Sequence, residues 1–102
     1  MGNLFKIGKT GDIPEGEVRS FLVDNEMVAV FNINNEFYAL KDQCSHMDLP
    51  LSDGFVEGDK VTCAYHGAEF EITSGKALCL PAIEPVENYK VTLDGDDIYV
   101  EL

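Results

Sequence analysis

Alternation of apolar and polar residues at period two, cut by short turn signals, confines this chain to β structure. Tyr89, Val91 and Leu93 alternate with polar residues, Asp94-Gly95 is a hairpin turn dipeptide, and Ile98, Val100 and Leu102 alternate again. Upstream, Phe21-Leu22-Val23 and Met27 to Ile33 are β-rich runs, Asn34-Asn35 signals a turn, and Glu36 to Leu40 resumes the strand as a second hairpin. Between the hairpins, Lys60 to Ala64 and Glu69 to Ile72 read as short strands, with Gly54, Gly58, Gly67 and Gly75 marking turns. No stretch of about ten residues carries the apolar stripe of an amphipathic helix. The pattern predicts an all-β fold, a small antiparallel sandwich or barrel that the acidic last hairpin closes. With no internal repeat or linker, residues 1–102 are expected to form a single domain.

Charge narrows the partners. The chain carries 19 acidic against 7 basic side chains, a net charge of -12. That balance opposes binding to a nucleic-acid backbone or an anionic membrane surface and suits a basic protein partner. The longest apolar run, Met27 to Phe31, is far short of the roughly 20 residues a membrane span needs. The opening Met-Gly-Asn-Leu-Phe-Lys lacks the apolar stretch of a signal peptide, and three cysteines, an odd number, fit a reducing compartment. The cytoplasm is the expected location.

Two segments depart from plain strand sequence: Cys44-Ser45-His46 and Cys63-Ala64-Tyr65-His66-Gly67. Singly, a cysteine is usually a buried small hydrophobe and a histidine a surface or satisfied core residue. Together the segments hold both histidines and two of the three cysteines, and they form a four-ligand set: Cys44, His46, Cys63 and His66. A Cys2His2 set is also a zinc pattern, so zinc is the rival metal. The common zinc finger pairs Cys with Cys and His with His across a helix. Here each loop supplies one of each and no helix follows, which suits a dinuclear site gripped from two sides.

On these boxes the chain resembles the Rieske 2Fe-2S family. The resemblance extends through Leu51-Ser52-Asp53-Gly54, Phe70, Gly75-Lys76, Pro81-Ala82 and Gly95 to Val100. It implies one Rieske-type 2Fe-2S cluster, with Cys44 and Cys63 on the buried iron and His46 and His66 on the outer iron, whose imidazole edges are the electron exit. It also implies a cluster-binding subdomain, roughly residues 41–80, inserted into the β fold. High-potential members have two further cysteines that join the loops, at positions held here by Leu49 and Tyr65. They also have a serine and a tyrosine whose hydroxyls donate to cluster sulfurs, at positions held here by Ala68 and Phe70. Donors aimed at sulfur favour the reduced form, so their loss, with the acidic field of the chain, places the expected potential low in the family range of about -150 to +300 mV.

The low-potential, stand-alone members that the chain resembles are ferredoxins of aromatic-ring dioxygenases. The resemblance therefore implies an electron carrier rather than an enzyme, passing electrons from a flavin-dependent reductase to a terminal oxygenase. Partners are expected to dock transiently at the His46/His66 edge, with Asp48, Asp53 and Glu69 steering them and Met47, Leu49 and Pro50 giving an apolar contact. The alternatives are a carrier for another redox system, such as a nitrite-reductase-like complex, and a zinc-folded interaction module. Cys79 reads as a buried hydrophobe, and Pro81-Ala82 resembles the family's third loop, which covers the cluster.

Overall fold

A computed structural model describes residues 3–43, 50–63, 69–79 and 86–102. The described residues form ten strands: β1 (Leu4–Lys9), β2 (Val18–Val23), β3 (Glu26–Ile33), β4 (Glu36–Lys41), β5 (Phe55–Glu57), β6 (Lys60–Thr62), β7 (Glu69–Glu71), β8 (Ala77–Cys79), β9 (Asn88–Asp94) and β10 (Asp97–Glu101). The only described helical segments are 3-10 turns at Thr10–Asp12 and Leu51–Asp53. The fold is the antiparallel all-β architecture that the alternation predicts.

A six-stranded sheet runs β1-β10-β9-β4-β3-β2, and a four-stranded sheet runs β5-β6-β7-β8. The larger sheet curls into a nearly closed barrel, with its edge strands β1 and β2 meeting around Phe5, Ile7, Phe21 and Val23. In the chain the smaller sheet lies between β4 and β9.

Four hairpins are closed by two-residue loops, and their chemistry explains each. Asp24-Asn25 and Asn34-Asn35 have positive φ at both positions, 47° and 67° in the first and 54° and 67° in the second, as a type I′ turn requires. Gly58-Asp59 and Gly95-Asp96 place a glycine at φ 61° in the first position. In the last hairpin the pairing of Asp94 with Asp97 moves the loop one residue on from the expected Asp94-Gly95, because only glycine takes that first, left-handed position at no steric cost.

β3 explains the longest apolar run. Val28, Ala29, Val30 and Phe31 are all fully buried because the strand is covered on both faces. Val28 and Val30 join Ile13, Val23, Ala39, Ile98 and Val100 inside the barrel, whereas Ala29 and Phe31 join Leu40, Leu51, Val61, Cys63, Phe70, Ile72 and Val86 between the sheets. Asn32, buried in the same strand, has its polar atoms satisfied by Ile13, Glu17, Gly16 and Asn35.

Three strands went unread in the sequence. They are β5 and β8, with three residues each, and β1, whose alternation is broken by a bulge between Lys6 and Gly8.

Candidate metal centre

The register of the smaller sheet brings one end of each of its strands into a row: Phe55 pairs with Thr62, Thr62 with Glu69, and Glu69 with Cys79. At that end the chain arrives through Gly54, leaves through Cys63, returns before Glu69 and leaves again after Cys79. The flanks of residues 44–49 and 64–68, and the start of residues 80–85, therefore converge on one end of one sheet, whereas Val86 re-enters at the turn between β7 and β8, at its other end. Cys44, His46 and His66 lie in those segments, outside the described residues, as do Met47, Asp48, Leu49, Tyr65, Ala68 and Pro81-Ala82.

Close contacts lock the flanks together. A Cβ on Gly54 would lie 2.2 Å from the carbonyl oxygen of Thr62, so the turn that follows the first segment sits directly on the backbone before Cys63. A Cβ on Gly75 would lie 2.2 Å from the Val86 carbonyl oxygen, and Gly75 also has φ +81°, so only glycine fits beside the chain where it returns after residue 85. The Val86 N–H donates to the Gly75 carbonyl at 2.9 Å, and the Lys41 N–H donates to the Glu87 carbonyl at 2.8 Å. The last bond ties the approach to the first segment to the exit from the third.

A polar clamp was missed in the sequence. The Asp42 carboxylate, only 7% exposed, accepts hydrogen bonds from the Ser52 N–H at 2.7 Å, the Ser52 hydroxyl at 2.8 Å and the Ser20 hydroxyl at 2.7 Å. Asp42 and Ser52 bracket residues 44–49, and Ser20 lies on β2. Asp42 stands two residues before a cysteine, which is a local hint, but no spacing rule links it to Ser20. A groove of ≈ 660 Å³ opens beside these flanks, with Met27, Lys41, Asp42, Pro50 and Ser52 among its lining residues.

Cys63 is the one proposed ligand among the described residues. It is a free thiol, 1% exposed, in the apolar cluster between the sheets. A cysteine shielded from water, next to the flanks of segments that carry Cys and His, fits an iron-sulfur cluster with its cysteine side turned inward. Phe70 is fully buried in the same cluster and brings no hydroxyl to it.

Of the acids expected to steer a partner, Asp53 is exposed, whereas Glu69 is half-buried and lies 3.4 Å from the Lys60 ammonium. Phe55, 67% exposed at the row of strand ends, is an exposed apolar side chain that the sequence reading did not single out.

At the exit from the third segment, the Tyr89 hydroxyl lies 3.1 Å from a carboxylate oxygen of Glu87 and 3.1 Å from one of Glu26. Burial first, then these two acceptors, hold its phenol well above the ordinary range.

Comparison with known proteins places this frame. Residues 3–90 match the family described as Rieske [2Fe-2S] domain. The 3-phenylpropionate/cinnamic acid dioxygenase ferredoxin subunit of Escherichia coli (strain K12) is 44% identical over 93 residues, which cover 89% of this chain and 86% of that protein. The ferredoxin component of biphenyl 2,3-dioxygenase from Rhodococcus jostii (strain RHA1) is 43% identical over 99 residues, or 97% and 92% of the two chains. A solved complex of reduced oxygenase and oxidized ferredoxin in carbazole 1,9a-dioxygenase contains a chain that superposes with a TM-score of 0.90 at 28% identity, covering 96% of this chain and 92% of that one.

Proposed function

The chain belongs to the Rieske 2Fe-2S family, and we propose that it serves as the ferredoxin component of a multicomponent dioxygenase, carrying single electrons from a flavin-dependent reductase to a terminal oxygenase. The observation that carries this reading is the likeness to dioxygenase ferredoxins over nearly the whole chain, 43% identity across 97% of it in one case. Both named relatives are dioxygenase components, which favours this role over a nitrite-reductase-like carrier.

A bound Rieske cluster supplies a reversible one-electron couple. Cys44 and Cys63 hold its inner iron, and His46 and His66 its outer iron. Cys63 is buried 1% exposed in an apolar cluster, which supports its place on the water-shielded side. The subdomain that does this spans roughly residues 41–80. Phe70, fully buried without a hydroxyl, and Ala68 withhold donors from the cluster sulfurs and keep the potential low. The absence of cysteine at 49 and 65 leaves the two loops without a bridging disulfide.

The oxygenase docks at the His46/His66 edge, with Asp53 and Glu69 offering charge to a basic surface and Phe55 and Pro50 apolar contact. Such a small contact separates readily, as a shuttle requires. No described helix is long and apolar enough to cross a membrane. The odd number of cysteines supports a reducing compartment, the cytoplasm, as the carrier's place of work.

A redox titration followed by visible absorption and electron paramagnetic resonance tests the reading. The expected result is a red-brown protein with a Rieske-type reduced signal and a midpoint near the lower end of the family range of about -150 to +300 mV. A midpoint near the upper end overturns the low-potential carrier. A colourless, zinc-containing protein overturns the cluster as well.

A further inference from the structure

Asp42 and Ser52 flank residues 44–49 in the sequence, and the two flanks meet on one side chain. One Asp42 carboxylate oxygen, Oδ1, accepts from the Ser52 N–H at 2.7 Å. The other, Oδ2, accepts from the Ser52 hydroxyl at 2.8 Å and the Ser20 hydroxyl at 2.7 Å. The Asp42 N–H donates to the Met27 carbonyl at 3.0 Å, so the residue is pinned to β3 through its backbone and to β2 through its side chain. A carboxylate only accepts, and three donors converge on it here.

Burying such a group is costly unless its hydrogen bonds are made, and removing the carboxylate deprives all three donors of their acceptor. The clamp also reaches the second box. Ser52 is in the turn Leu51–Asp53, and the next residue, Gly54, presses on the Thr62 carbonyl with no room for a Cβ. Thr62 immediately precedes Cys63. A continuous path of tight contacts therefore runs from the residue two before Cys44 to the residue one before Cys63.

We propose that Asp42 is a positioning residue for the cluster: its carboxylate, held by Ser20 and Ser52, sets where Cys44 and His46 stand relative to Cys63 and His66. The proposal rests on the ligand assignment given under Proposed function, and its test separates the two. Asp42→Ala, Asp42→Asn, Ser52→Ala and Ser20→Ala are made in the full chain and purified with cluster. Cys44→Ala and His46→Ala serve as ligand controls. The readouts are the principal g-values of the reduced protein, the rate of cluster loss to an iron chelator, and the melting temperature without cluster.

Asp42→Ala is expected to shift the g-values and to speed cluster loss about tenfold or more, the scale of one lost hydrogen bond to a charged group. Asp42→Asn, which keeps one acceptor for the Ser52 N–H, recovers part of the effect. Ser20→Ala shifts the same readouts in the same direction by less, although Ser20 lies on a different strand, 22 residues from Asp42.

If Asp42→Ala and Ser20→Ala lower only the melting temperature without cluster, leaving g-values and release unchanged, the positioning role is wrong and the ligand assignment stands. Should Asp42→Ala fail to fold, Ser20→Ala and Ser52→Ala decide the question, since both leave the carboxylate in place. A His46→Ala protein that keeps the parent spectrum overturns the ligand assignment, and the positioning role falls with it.

Discussion

Replacing Gly54 by alanine isolates the contact that joins the flanks of the two Cys/His boxes. Gly54 has φ -84°, a value any residue adopts, so the substitution carries no conformational strain of its own. Its whole effect is steric. The added Cβ would lie 2.2 Å from the Thr62 carbonyl oxygen and 3.1 Å from the Leu51 carbonyl oxygen, and real Cβ contacts essentially never fall under 3.0 Å. Both neighbours are backbone, so no side chain can swing away. The turn Leu51–Asp53 must move off β6, carrying Ser52 from Asp42 and shifting the approach to Cys63. Overpacking of this kind costs about 1–3 kcal/mol. For a domain of this size each kcal/mol is worth about 4–8 °C of melting temperature, so a fall of roughly 8–16 °C is expected for a cost of about 2 kcal/mol.

Gly11→Ala, with nothing within 4 Å of its Cβ, is the control for the substitution itself. Gly58→Ala, with open space but φ +61°, is the control for backbone strain. Thermal unfolding by circular dichroism and iron per chain are the assays. If Gly54→Ala melts within about 2 °C of Gly11→Ala with full iron, the expected scale of overpacking is absent and the account of how the boxes are joined is refuted.

Other predictions concern the potential, the alkaline limit and the third cysteine. Phe70→Tyr puts a hydroxyl at the position from which high-potential relatives donate to sulfur. It should raise the midpoint by about 20–60 mV, one net hydrogen bond at 59 mV per tenfold, and an unchanged voltammogram would count against the missing-donor explanation. Tyr89 has its phenol raised in the folded state by burial and by the neighbouring Glu87 and Glu26. Its contribution is complete below the unfolded phenol's value of about 10 and is lost as pH rises beyond it, because the unfolded chain releases the proton first. Urea unfolding of Tyr89→Phe from pH 8 to 11 should show a shallower alkaline decline than the parent. Cys79→Ser should leave the visible and paramagnetic spectra of the cluster intact, and loss of them would show a ligand outside the proposed set.

Read as a string of residues, the chain already disclosed its β class, its principal hairpins and its family, because each rests on chemistry local in sequence. Alternation reports a strand with one buried face, and Asn34-Asn35 can take the left-handed backbone of its turn from its own residue types. Two short Cys/His boxes name the cofactor class for the same reason: a ligand's identity is the residue's own. The one-residue shift to Gly95-Asp96 obeys the same local chemistry, since glycine takes the first, left-handed position at no steric cost.

Tertiary structure alone decided what joins distant segments. β1 pairs with β10 from Leu4–Glu101 to Lys9–Asp97, and β3 is buried on both faces because a second sheet covers it. Asp42 meets Ser20 across 22 positions, and Gly54 meets Thr62 where a single methyl group would not fit. Neither contact has a period or a motif, because a hydrogen bond or a steric limit between remote residues exists only once register and sheet packing have set their distance.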